Sequence, residues 1–231
     1  NDHNDDVCIT VIKDIISQKT NTDSHLAYAM WGYILQRQGK FEDAVEKYQT
    51  AIDAADKSHQ EFPSAHNDLA YLLARLEKYD DAIEHYKTAT NSKFAPAYFG
   101  WGWILYYQEN YEGAIENCTK AIELDSTFTS AYIGLGYIFS AQGKHNDAVG
   151  KLQEALKIEP ENADAYASWG KVLVGQGKYD VAIEKYLKSI ELDPEIIGEI
   201  GYDLNEALVE REYEGADETY QKITELDPQN T

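Results

Sequence analysis

The residues best equipped for chemistry in this chain are six histidines, two cysteines and one glycine-lysine turn. Gly175-Gln176-Gly177-Lys178 would cradle a phosphate if it opened a P-loop, but it lacks the four-residue gap between glycines and the Ser or Thr after the lysine. His3, His25, His59, His66, His85 and His145 form no His-Glu-x-x-His pair and no spacing suited to a metal. His3, beside Asp2, Asp5 and Asp6, offers at most adventitious chelation. Cys8 and Cys118 have no metal-site spacing. Cys118 falls mid-helix and Cys8 lies ahead of the repeats, so the two are expected to be too far apart to bridge. Unpaired thiols favour a reducing, cytoplasmic compartment, with a processed periplasmic or secreted form left open. Asn117-Cys118-Thr119 is a formal glycosylation sequon, but Cys118 falls on a core position and occupancy is not expected. The many carboxylates lie mostly on helix faces, where solvation is their default. Catalytic residues, cofactor sites and metal sites are therefore expected to be absent, and the chain is expected not to be an enzyme.

What the chain positions instead is a pattern. Tyr98, Tyr132 and Tyr166 stand in step, as do Gly102, Gly136 and Gly170, then Ala114, Ala148 and Ala182, then Leu124, Ile158 and Leu192. A fixed period with apolar residues at helical spacing signals stacked helix pairs, none able to bury its apolar face alone. With the glycine as eighth position, units begin at Ala95, Thr129 and Ala163. In the last of these, Tyr166, Trp169, Gly170 and Leu173 form one stripe of a first helix. Gly177 ends it in a left-handed turn. Tyr179, Ala182, Tyr186 and Ile190 stripe a second helix, and Leu192-Asp193-Pro194 stops it. Gly at position 8 and Ala at position 20 let the two helices approach, while large residues at positions 4, 7, 17 and 24 fill the flanks.

These residues resemble the tetratricopeptide repeat family, whose pattern W-x2-L-G-x2-Y, A-x3-F, P is matched by Tyr166, Trp169, Gly170, Leu173, Ala182, Tyr186 and Pro194. The resemblance runs from His25 to Pro228. It implies an all-α, right-handed superhelical solenoid of about six helix-turn-helix repeats with an additional N-terminal helix. Residues 1–24 are read as an N-terminal extension and 25–231 as the solenoid, with repeats near 25–62, 63–94, 95–128, 129–162, 163–196 and 197–231. The first repeat, from Tyr28, Trp31, Gly32, Leu35, Phe41, Ala44, Tyr48 and Ala51, gains residues around Ser58-His59-Gln60-Glu61, predicting a longer second helix or loop. The second, carrying Leu69, Ala70, Leu73, Tyr79, Ala82, Tyr86 and Ala89, is about two residues short. The sixth puts Asp203 at an apolar position and Leu204 at the glycine position, then recovers with Tyr213, Ala216, Tyr220, Ile223 and Pro228. Ahead of the repeats, Val7, Val11, Ile12, Ile15 and Ile16 predict an amphipathic helix over Val7–Ser17 that caps the first repeat.

In the resembling family the first helices line a concave groove at positions 2, 5, 9, 12 and 13. Position 9 here reads Tyr33, Tyr71, Trp103, Tyr137, Lys171 and Asn205. The first four are expected to form an aromatic ladder, thickened by Phe99, Tyr106 and Tyr107, with Asn67 beside it and small Ala29, Ala167 and Gly201 leaving room between rungs. Rings with polar tips are common on protein-binding surfaces. The family's clamp for acidic chaperone tails is absent, since Ala29, Tyr33, Asn67, Asp68, Pro96 and Gly100 provide no basic pair where it needs Lys, Asn and Arg.

Net charge is −21, from 20 basic and 41 acidic residues, which argues against nucleic acid and anionic membrane surfaces. Residues 195–231 alone carry 11 acidic and 2 basic residues, an end able to steer a basic partner. No apolar run approaches the roughly 18 residues of a membrane span, and no signal peptide is read in Asn1–Asp6. The chain lacks an initiator Met, so a processed form or a domain of a larger protein is also expected. The function this supports is a protein-interaction scaffold binding a peptide or helix that carries aromatic, proline or basic residues. The alternative is self-association through the solenoid ends, near Val11, Ile15 or Tyr220.

Overall fold

A computed structural model describes residues 2–17 and 24–210. Every element among the described residues is helical. The chain divides into two compact units, residues 1–108 and 109–231.

The first unit holds α1 (Asp2–Ser17), α2 (Ser24–Arg37), α3 (Phe41–Lys57), α4 (Pro63–Arg75), α5 (Tyr79–Asn91) and α6 (Ala95–Tyr107). α2 pairs with α3 and α4 with α5, and each pair packs on the next through α3–α4 and α5–α6. The extra residues of the first repeat lengthen its second helix, since α3 runs 17 residues against 13 in α5. The second unit holds α7 (Tyr111–Leu124), α8 (Thr129–Ala141), α9 (His145–Ile158), α10 (Ala163–Gly175), α11 (Tyr179–Leu192), a 3₁₀ turn at Pro194–Ile196 and α12 (Ile197–Glu210). Its hairpins are α8–α9 and α10–α11, with α12 packed on α11. Tyr213, Ala216, Tyr220, Ile223 and Pro228, read as a further second helix, lie outside the described residues.

Each turn inside a hairpin reverses the chain with one left-handed residue. Gly39, Gly143 and Gly177 take φ of 73°, 72° and 68°. Beyond each glycine a lysine N–H donates five residues back, as Lys178 does to the Leu173 carbonyl at 2.9 Å, satisfying a carbonyl the helix end leaves open. Glu77 and Glu109 adopt the same conformation at φ of 60° and 59°, where a Cβ makes it costly.

Burial explains the small-large alternation. Ala44, Ala82, Ala114, Ala148 and Ala182 have no exposed surface, and the position-24 residues Tyr48, Tyr86, Cys118, Leu152 and Tyr186 are buried beside them. A Cβ added at Gly170 would lie 2.6 Å from Tyr186, and one at Gly32 would lie 3.1 Å from Tyr48. The second repeat solves this differently. Ala70 stands at its position 8, and Tyr86 lies instead against Gly100 of α6, where an added Cβ would overlap the ring. The space for a position-24 tyrosine can thus come from its own hairpin or from the next helix. Tryptophans at position 7 carry lysines over their faces, Lys47 at 4.8 Å from Trp31 and Lys185 at 4.6 Å from Trp169.

The N-terminal helix forms and covers α2 only in part, and one groove expectation needs correcting. In α1, Ile12 is buried and Ile9 and Ile16 pack with it against Ala27 and Ile34 of α2, but Val7, Val11 and Ile15 remain about half exposed. The apolar stripe is wider than the face α2 can cover. Ala167 does not open space in a groove, because it is buried in the core shared by α10, α11 and α12. Leu204, standing where four of the other repeats have glycine, is buried in that same core, while Asp203 beside it pairs with Lys171 at 3.2 Å.

Candidate binding groove

The first unit carries a groove of about 600 Å³ between α4, α5 and α6. α4 contributes Asn67, Asp68, Tyr71 and Arg75, α5 Tyr79 and Tyr86, and α6 Pro96, Phe99, Gly100, Trp103 and Tyr107. These residues converge for a sequence reason. Positions 2, 5, 9 and 13 recur on one side of each first helix, so Pro96, Phe99, Trp103 and Tyr107 form a single stripe of α6, with Tyr71 and Arg75 beside it on α4.

The wall from α6 is a continuous aromatic surface. Trp103 stacks on Tyr106 with centroids 5.2 Å apart and planes at 24°, meets Tyr107 edge-on at 5.7 Å, and lies 6.0 Å from Phe99. Tyr71 on α4 and Tyr107 on α6 are both exposed. Rings that already touch are held in place, which lowers the entropy lost when a partner packs on them.

The floor is polar. The Asn67 side-chain amide donates to Asp68 Oδ1 at 3.2 Å. Burial raises the Asp68 carboxyl above its ordinary value, with the Asn67 bond opposing the shift. The same carboxylate helps push the Tyr48 and Tyr86 phenols up, although burial is the larger cause for both. The Arg75 guanidinium, at the rim, lies 4.6 Å over the Phe41 ring.

Of the residues singled out from the sequence, Asn67, Tyr71, Phe99, Trp103 and Tyr107 come together here. Tyr106 backs the wall by stacking on Trp103. Tyr33 stands exposed on α2 and is not part of the lining. Tyr137 is half-buried on α8 in the second unit, where Asn205 is exposed on α12 and Lys171 is engaged by Asp203. Sequence reasoning did not select Asp68, Gly100 or Tyr86, which stand at positions 6 and 24. Those positions meet only when one repeat packs on the next, and the signal was the unusual polar Asp68 and small Gly100 at position 6.

No group of three or more metal-ligating side chains stands together among the described residues. Cys118 is buried with its thiol pushed up to about 12 by desolvation, far from the thiolate a nucleophile needs. No described helix is long and apolar enough to cross a membrane.

Tetratricopeptide repeat family models match residues 29–97, 95–128 and 163–196, and a TPR repeat model matches residues 136–177. The chain belongs to the tetratricopeptide repeat family. Solved TPR structures share its fold. A thermophilic TPR protein of Thermus thermophilus superposes with a TM-score of 0.68 at 19% identity, over 80% of this chain and 99% of that one. The APC/C hetero-tetramer Cut9-Hcn1 gives 0.77 at 16% identity, over 97% of this chain and 44% of the other. YrrB, described as a TPR protein with an unusual peptide-binding site, gives 0.51 at 18% identity, over 79% and 92%. At these identities the likeness speaks to fold alone. No curated protein matches the sequence. TPR repeats are protein-protein interaction scaffolds and the fold is typically non-enzymatic, which sets the general role of this TPR chain.

Proposed function

We propose that this chain is a non-enzymatic scaffold that holds an extended segment of a partner protein in the groove of its first unit. The observation carrying this reading is the groove itself, about 600 Å³ walled by Tyr71, Phe99, Trp103 and Tyr107. That volume lies within the range of sites that enclose a small ligand, and it is ample for a few residues of chain. Aromatic or proline side chains stacked on these rings gain roughly 0.5–1.5 kcal/mol each beyond burial. YrrB, which shares the fold, is itself described as peptide-binding. Tyr33 and Tyr106 in the first unit, and Tyr137, Lys171 and Asn205 in the second, remain candidate contacts, each within its own unit.

The test is a captured partner whose binding is then measured on variants. Trp103→Ala and Tyr71→Ala should weaken it at least tenfold, and Tyr137→Ala tests whether the second unit takes part. Unchanged affinity in both Trp103→Ala and Tyr71→Ala would refute the reading.

A second reading, self-association through an end of the array, draws on the half-exposed Val7, Val11 and Ile15 of α1. It requires a mass that rises with concentration and falls back in Val11→Glu.

A further inference from the structure

We infer that the groove of the first unit reads a cationic side chain, with Asp68 as the residue that determines this specificity. The inference rests on the peptide-scaffold reading above and adds the chemistry of the segment that enters.

Asp68 lines the groove, half-buried, together with Asn67, Tyr71, Tyr86 and Gly100. The Asn67 amide donates to Asp68 Oδ1, a single bond that leaves the carboxylate with acceptor capacity to spare. No lysine, arginine or histidine pairs with it among the described residues. Arg75, the cation that also lines the groove, lies over the Phe41 ring. A carboxylate held part-way out of water without a counter-charge costs stability, because its charged form loses solvation that nothing replaces. The raised Asp68 carboxyl reflects that cost.

An entering ammonium or guanidinium would supply the missing charge. The same lining includes the Tyr71 and Trp103 rings, whose faces attract cations. Beside the single Asn67 bond the carboxylate keeps free acceptor positions. A lysine ammonium, a compact point charge on a long flexible stem, can reach one of them without a bidentate fit. The surplus of acidic residues, 41 against 20 basic, raises the local concentration of a basic segment in the same sense. The occupant is therefore an extended peptide with a lysine between aromatic or proline residues.

Calorimetry with three capped peptides, Tyr-Pro-X-Pro-Tyr with X as lysine, norleucine or glutamate, tests this. On the wild-type chain the lysine peptide should bind about tenfold tighter than the norleucine peptide, the discrimination expected of one part-buried charge pair. Glutamate should bind most weakly. Asp68→Asn keeps the shape and the Asn67 contact, so it should bring the lysine-to-norleucine ratio to about one. It should also raise the melting temperature at pH 7, since a stranded charge is removed. A ratio near one on the wild type, or a preference that survives Asp68→Asn, overturns the inference. If lysine and norleucine peptides bind equally but both are lost in Trp103→Ala, the groove reading stands and the Asp68 inference falls. If none of the peptides binds, both fall.

Discussion

Replacing Gly170 with alanine isolates the contact on which each hairpin depends. The added methyl would lie 2.6 Å from Tyr186 Cε1 and 2.7 Å from Cδ1, about 1 Å inside ordinary carbon-carbon contact. The tyrosine has no exposed surface and belongs to the buried core that also holds Ala182, Ile190 and Leu204, so it has little room to swing aside. Overpacking of this kind costs about 1–3 kcal/mol, and a rigid, fully enclosed ring belongs at the upper end. Alanine regains about 1 kcal/mol of helix propensity, leaving a net loss of about 2 kcal/mol. In a chain of this size that lowers the melting temperature by about 4–8 °C. Gly150, inside α9, is the control, because nothing lies within 4 Å of an added Cβ there. Gly150→Ala should stabilise by about 0.5–1 kcal/mol through helix propensity alone. Thermal unfolding followed by circular dichroism reads both. The same substitution should thus act with opposite signs at two helical glycines. Gly170→Ala as stable as wild type would refute the claim that glycine is there for close approach.

Four further outcomes follow from individual side chains. Glu77→Gly should stabilise by about 1 kcal/mol by relieving a left-handed residue at φ of 60°, visible as a raised denaturation midpoint with unchanged slope. Tyr186→Phe should be neutral or stabilising by up to about 1 kcal/mol, because the buried hydroxyl has no hydrogen-bond partner; a loss above that in thermal unfolding would contradict it. A thiol reagent should titrate Cys8 in the native chain and Cys118 only after denaturation, since one is exposed and the other buried. His66 and His85 face each other, Nδ1 to Nδ1, at 2.9 Å, and burial lowers both from their ordinary value, with Asp56 of α3 and Asp81 and Glu84 of α5 opposing. The unfolded chain therefore binds protons first as pH falls below about 6.5, so stability should drop below that pH. His85→Gln should flatten the slope between about pH 6.5 and 5.

The repeat was legible because its causes are local. A helix stripe, a glycine past the helix end and a proline after Leu192 each act within a few residues of sequence, and several copies in register reinforce one another. The aromatic side of α6 was legible for the same reason, since Phe99 and Trp103 are set by spacing on one helix. What spacing could not supply is how much of a stripe finds a partner. α1 has five apolar residues in its stripe, yet α2 covers only the Ile12 side, and nothing in the α1 sequence records how wide α2 is.

The groove floor was hidden for a deeper reason. Position 6 touches position 24 of the preceding repeat, so its meaning depends on a residue far back in the chain. Tyr86 could have found its space at position 8 of its own hairpin, as Tyr186 does at Gly170. Ala70 narrows that place, and Gly100 on the next helix provides it instead. The backbone of α6 can then approach the Tyr86 ring, and the floor where Asp68 lies forms beside it. Gly100→Ala should therefore disturb the groove as well as stability, while Gly170→Ala should leave peptide binding intact. Equal effects of the two on binding would show that the exchange of glycine between hairpins has no part in shaping the site.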